Sequence, residues 1–239
     1  LERSRDVMRS KRLEVSIPRL ALAGYTNAGK SSLMNALTGA GVGVNDALFE
    51  TLDPTTRMFN NGEAKYLLSD TVGFIRDLPH QLVEAFKSTL DETRDADLIL
   101  HVADASQPSD RRLVRAAAVD SVLDEIGAHD VPRLMVLNKV DRCTDEERDT
   151  LLFDHPDAVL ISARTGDGLD ELRRRLDTFA RAQLEPIDLG IPYSQGSLVS
   201  AIYEVGRDVT QEPGDDGTRV RALVPPAHAA RISALLRRS

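Results

Sequence analysis

Hydrophobic positions along the chain fall into short unbroken runs separated by longer stretches with helical spacing. The runs are Leu20–Ala23, Tyr66–Leu68, Leu98–Val102, Leu134–Leu137 and Val159–Ile161. Apolar runs this short, without alternation, indicate strands buried on both faces of a mainly parallel sheet. Between them, Leu82, Val83, Phe86 and Leu90 recur at helical spacing, as do apolar positions in Leu113–Ile126 and Leu169–Phe179. The alternation predicts a doubly wound α/β domain over residues 18–185.

The pattern differs at both ends. Residues 1–17 are charged and read as the end of a helical linker. After Pro186 the order becomes strand (Ile187–Ile191), helix (Gly196–Val205), two strands (Val205–Gln211 and Arg219–Val224) and helix (Ala227–Leu236). The two strands flank Glu212-Pro213-Gly214-Asp215-Asp216-Gly217, a strong turn signal. Residues 186–239 are therefore expected to form a small C-terminal α+β domain.

Composition narrows the function classes. No apolar run approaches the roughly 18–20 residues of a membrane span. The chain opens on Leu1-Glu2-Arg3-Ser4-Arg5, with neither Met nor an apolar signal core, and reads as an internal start within a longer protein. The single Cys143 precludes an intrachain disulfide framework and fits a reducing, cytoplasmic setting. A net charge of −8 argues against a dedicated nucleic-acid domain. Basic residues do gather near the start (Arg3, Arg5, Arg9, Lys11, Arg12, Arg19), where a solvated helix face is the simplest reading.

The first strand leads into Gly24-Tyr25-Thr26-Asn27-Ala28-Gly29-Lys30-Ser31, followed by a helix opening at Ser32–Leu37. This is the full G-x-x-x-x-G-K-[ST] pattern in its strand–loop–helix setting. Glycines let the backbone turn so that its N–H groups face phosphates, and the helix N-terminus adds its positive end. Lys30 is the candidate for the β- and γ-phosphates, and the Ser31 hydroxyl for Mg²⁺. The fold class that follows is a P-loop NTPase with a Ras-like G domain.

A phosphate loop alone does not choose between ATP and GTP. Asn138-Lys139-Val140-Asp141, after the strand Leu134–Leu137, does. The Asp141 carboxylate can accept from guanine N1–H and the 2-amino group, donors that adenine lacks on that edge, so adenine would leave it unpaired. Asn138 is expected to tie this loop to the phosphate loop, and the Lys139 stem to pack on the base. Ser162-Ala163-Arg164 ends the next strand and offers a backbone N–H for guanine O6.

Asp70-Thr71-Val72-Gly73 follows the strand at Tyr66–Leu68. Asp70 would hold Mg²⁺ through water, and the Gly73 N–H would sense the γ-phosphate. A threonine in Phe49-Glu50-Thr51-Leu52-Asp53-Pro54-Thr55-Thr56 should provide the second Mg²⁺ ligand. Thr51 is the choice, because Thr55 and Thr56 leave too little chain before Asp70 and are expected to start the second strand. Lys30, Thr51 and Gly73 are the catalytic candidates. After Gly73 stands Phe74, which cannot orient an attacking water as a glutamine can, so slow unassisted hydrolysis is expected. Asn27 could contribute a carboxamide oxygen to K⁺ or, equally, a hydrogen bond that stabilises the loop.

These motifs, with the run Asp70-Thr71-Val72-Gly73-Phe74-Ile75-Arg76-Asp77-Leu78-Pro79-His80 continuing through Leu82-Val83-Glu84-Ala85-Phe86, make the chain resemble the HflX family of bacterial ribosome-associated GTPases. The resemblance is close over residues 18–185 and loose over 186–239. It implies a cytoplasmic, Mg²⁺-dependent enzyme converting GTP to GDP, and association with the large (50S) ribosomal subunit and its RNA mainly through a region N-terminal to this chain. It also implies ribosome splitting by the full-length protein, carries Ser31 and Thr51 over as Mg²⁺ ligands, and makes Phe49, Glu50, Thr51, Leu52 and Asp53 a nucleotide-contacting loop. Glu50 departs from the small residue expected there. A monomer is expected.

Three other classes share parts of this pattern: a nucleotide-dependent binding switch, another translation-related GTPase contacting RNA, and a P-loop kinase, against which Asp141 argues. No Cys/His cluster has metal-ligand spacing, and His101 and His129 read as structural.

Overall fold

The computed structural model describes residues 17–39, 55–62, 64–70 and 92–236, which divide into two compact units at Arg175/Leu176. Several positions singled out above lie outside the described residues: 1–16, Phe49 to Asp53 with Thr51, Thr71, Val72, Gly73, Phe74, His80 and the helical pattern at Leu82–Leu90.

The first unit is built on a six-stranded sheet. Its strands are β1 (Arg19–Ala23), β2 (Thr55–Asn61), β3 (Ala64–Asp70), β4 (Leu98–Asp104), β5 (Arg133–Asn138) and β6 (Val159–Leu160). Their order is β2-β3-β1-β4-β5-β6. β2 and β3 pair antiparallel, and every other pairing is parallel. β2 does begin at Thr55, so Thr55 and Thr56 open the second strand as the pattern indicated.

Burial on both faces explains the unbroken apolar runs of the central strands β1 and β4. Leu20 to Ala23 are all buried, as are Leu98 to Val102. Ala21, Ala23 and Ile99 pack with Val119, Leu123 and Ala128 on one side. A fully buried Leu or Ile contributes about 1.5–3 kcal/mol. Helices α1 (Lys30–Thr38), α2 (Ser109–Glu125) and α3 (Asp145–Asp154) connect the strands, and α4 (Leu169–Ala182) follows β6. In α4 the buried residues are Leu172, Leu176 and Ala180, four apart, as an amphipathic helix requires.

The hydrophobic pattern had not indicated α3. Only Leu151 is buried in it, so it has almost no apolar stripe. Its signal is a capping box. The Thr144 hydroxyl accepts from Glu147 N at 3.2 Å, and the Glu147 carboxylate accepts from Thr144 N at 2.8 Å.

The second unit holds an antiparallel sheet of β7 (Glu185–Pro192), β8 (Arg207–Pro213) and β9 (Gly217–Val224), ordered β7-β9-β8. Buried and more exposed positions alternate along β9 and through Ile187–Ile191 of β7, because only one face is covered. Ile187, Ile191, Val220, Ala222 and Val224 point inward and pack with Ile202 of α5 (Gly196–Val205) and Ala229 and Ile232 of α6 (Pro226–Leu236). On the open face Arg219 forks onto Asp188 with two 2.7 Å bonds, and that contact holds the Asp188 carboxyl far down in the acid range. The expected strand–helix–strand–strand–helix order is present, with the turn at Gly214 closed by its N–H donating to Gly217 O at 2.8 Å.

Candidate nucleotide-binding site

Four short segments meet at the C-terminal edge of the parallel strands, where ligands of open α/β sheets bind. They are the loop Gly24–Gly29 after β1, Asp70 at the end of β3, Asn138–Asp141 after β5, and Ser162–Arg164 after β6.

The glycines of the first loop are required by contact. A Cβ on Gly24 would stand 2.2 Å from the Val102 carbonyl oxygen of β4. Gly29 has φ +94°, and a Cβ there would stand 2.3 Å from the Asn138 side-chain nitrogen. Asn27 also has positive φ, at 60°. Asparagine tolerates this region better than other non-glycine residues, which is a local reason for its presence. Helix α1 starts at Lys30 with no side-chain cap and no acidic residue in its first turn, an arrangement that suits its leading amides to an anion.

Lys30 is buried at 7% exposure and donates to the Gly24 and Tyr25 carbonyls at 3.1 and 3.4 Å. Burial pushes its pKa down to about 8, with Asp70 opposing. The Ser31 hydroxyl donates to Asp70 Oδ2 at 2.9 Å, and Asp70 is itself buried. This pair of hard oxygen donors beside the anion site suits Mg²⁺, which prefers carboxylate, hydroxyl and phosphate oxygens. Among the described residues no three His, Cys, Asp or Glu side chains converge as a metal site.

Asn138 is the hub. Its Nδ2 donates to the Ala28 carbonyl at 3.0 Å, reaching across 110 residues into the phosphate loop. Its Oδ1 accepts from Lys139 N at 2.8 Å and from Ala163 N at 3.0 Å. One 2% exposed side chain thus registers three loops. Lys139, at φ 70°, sends its ammonium to Asn27 O at 2.6 Å and Asp104 Oδ2 at 2.9 Å. Burial pushes the Asp104 carboxyl up, but bonds from Ser106 and Lys139 outweigh it and hold it below its ordinary value.

The Asp141 carboxylate receives the Ser162 hydroxyl on Oδ1 at 2.6 Å and the Arg164 guanidinium on Oδ2 at 2.5 Å. The Ser162 bond leads in holding its pKa below the usual carboxylate range; slight burial opposes and Arg164 adds. A carboxylate so held stays ionised and can accept paired N–H donors from a planar base edge.

Two contributors had not been read from the sequence. Asp104 anchors Lys139, and Arg148 of α3 donates to the Val140 carbonyl at 2.8 Å and pairs with Asp167 at 3.2 Å. Neither belongs to a local motif, since each acts across the fold. Cys143 is partly buried, and burial followed by Glu147 raises its thiol pKa, which leaves it an unreactive thiol. His101 is 3% exposed, with burial lowering its pKa against Asp120, and is a core residue. No helix among the described residues is long and apolar enough to cross a membrane.

A family model described as 50S ribosome-binding GTPase matches residues 19–139. The chain is 42% identical to GTPase HflX of Lacrimispora saccharolytica over 228 residues, covering 94% of this chain and 53% of that protein. It is 42% identical to GTPase HflX of Gluconacetobacter diazotrophicus over 233 residues, covering 97% and 51%. The chain spans about half the length of the curated relatives it matches. Among solved structures it resembles a GTP-binding protein of Sulfolobus solfataricus in complex with GDP, at 29% identity and TM-score 0.55, covering 76% of this chain and 58% of that one.

Proposed function

Because the chain belongs to the family of 50S ribosome-binding GTPases and groups there with the HflX proteins, we propose that it binds GTP and hydrolyses it to GDP and phosphate. The observation carrying this reading is the Asn138 hub, which holds the phosphate loop, the Asp141 loop and the Ala163 amide in one register. That shared register supports reading the loop amides with Lys30 as the phosphate end of a nucleotide site and Asp141 as its base end.

In this reading the α1 amides and Lys30 take the β- and γ-phosphates, and Asp141 takes guanine N1–H and the 2-amino group. A backbone N–H of the Ser162–Arg164 loop meets the base's O6, and the Lys139 stem packs on the ring. Ser31 and Thr51 hold Mg²⁺ directly and Asp70 through water. Bound Mg²⁺ neutralises charge on the phosphates. The Gly73 N–H and Thr51 contact the γ-phosphate. With Phe74 where a water-orienting glutamine could stand, unassisted turnover is on the order of 10⁻⁴ s⁻¹ or slower. The Asn27 carboxamide is a candidate K⁺ ligand beside the phosphates. The partner is the large ribosomal subunit with its RNA, in the cytoplasm, engaged by a monomer.

The test is steady-state GTP hydrolysis in K⁺ and in Na⁺ buffer, with and without purified large subunits. A slow basal rate, stimulated by the subunits and faster in K⁺, is the expected result. Absence of GTP binding would overturn the reading; binding and hydrolysis indifferent to subunits would remove the proposed partner for this chain.

A further inference from the structure

The Asp141 carboxylate is engaged from two sides. Ser162, fully buried, holds Oδ1 from within the fold. Arg164 holds Oδ2 from without, its side chain 73% exposed while that of Asp141 is 10% exposed. A base edge with two adjacent N–H donors needs both oxygens at once, and it approaches from solvent. Ser162 is no obstacle, because each carboxylate oxygen accepts more than one donor. Arg164 is an obstacle, because its guanidinium stands on the approach side and offers the same kind of N–H donor that the base offers.

We propose that Arg164 competes with the guanine base for Asp141, so that this arginine is a displaceable, salt-sensitive cap that sets nucleotide affinity. The proposal rests on the base-recognition reading given above. Its size follows from exposure. The pair is single-pronged and solvated, so breaking it costs little, and removing Arg164 should tighten binding by about twofold to fivefold. The gain should shrink with ionic strength, since screening weakens the pair that the base must displace. An arginine that instead supported the bound base would give the opposite sign.

The experiment is equilibrium titration with GDP and XDP of the wild-type chain, Arg164→Ala, Asp141→Asn and the double variant, at low and high KCl. Position 164 is exposed, so its truncation leaves the fold intact. Arg164→Ala should bind GDP about twofold to fivefold more tightly at low salt, with the difference closing at high salt. In the Asp141→Asn background, which lacks the charge that holds Arg164, XDP affinity should not respond to the second substitution. Weaker or unchanged GDP binding by Arg164→Ala would overturn the proposal, as would an equal effect in both backgrounds. If Asp141→Asn itself failed to shift preference from GDP to XDP, the base-recognition reading would fall, and this proposal with it. A shift in the single variant without the Arg164 effect removes this proposal alone.

Discussion

Truncating Asn138 to alanine tests whether one side chain holds the site together. The substitution removes three hydrogen bonds, to Ala28 O, Lys139 N and Ala163 N. The side chain is 2% exposed and Ala28 is equally enclosed, so water reaches the Ala28 carbonyl poorly. An acceptor stranded in that position costs about 2 kcal/mol. The two amides sit in part-buried surroundings, where solvent can partner them, and each adds about 0.5 kcal/mol. The total is about 3 kcal/mol, a large share of the stability of an ordinary domain. Asn138→Asp separates chemistry from volume. It keeps the acceptor for both amides and turns an oxygen toward the Ala28 carbonyl, so its loss should be at least as large. Urea unfolding followed by far-ultraviolet circular dichroism reads stability, and titration with a fluorescent GDP analogue reads affinity. GDP affinity should fall at least about tenfold, because the loops lose their shared register before binding. A loss below about 1 kcal/mol in both variants, with affinity intact, would refute the hub assignment.

Phosphate contact favours the Lys30 ammonium and raises its pKa in the complex above its value of about 8 without phosphate. The lysine's contribution to GTP binding is therefore complete below about pH 8 and declines as pH rises from there toward the pKa in the complex, by up to about tenfold per unit. Lys30→Ala should bind far more weakly and lose this slope, while ionisation of the base affects both proteins alike; equal slopes would exclude Lys30 as the source. Thr144→Ala breaks the capping box of α3 and should cost about 1 kcal/mol, read by urea unfolding. A change within about 0.3 kcal/mol would mean that packing, not the cap, holds α3.

The local chemistry of the phosphate loop was legible in the sequence because it is local. Gly24, Gly29, Lys30 and Ser31 act through backbone conformation and a strand–helix junction that neighbouring residues specify. The parallel core was legible for a related reason: a strand buried on both faces has no polar alternation to maintain, and Leu20–Ala23 shows none. Helix α3 was missed because its only buried residue is Leu151, so periodicity carried no signal and only the Thr144–Glu147 cap did. The tie from Asn138 to the phosphate loop was expected from the motif, and it lands on Ala28 across 110 residues. Other partners could not be read from the chain: Lys139 meets Asp104 across 35 residues, and Arg164 meets Asp141 across 23. Those pairings depend on which strands lie side by side, and the order β2-β3-β1-β4-β5-β6 is a property of the folded sheet. The residue types proposed to recognise a nucleotide were determined by sequence alone. Which of these residues pair, and that the exposed Arg164 meets the Asp141 carboxylate, was decided by tertiary structure, because hydrogen bonds between distant loops form only once the core has set their spacing.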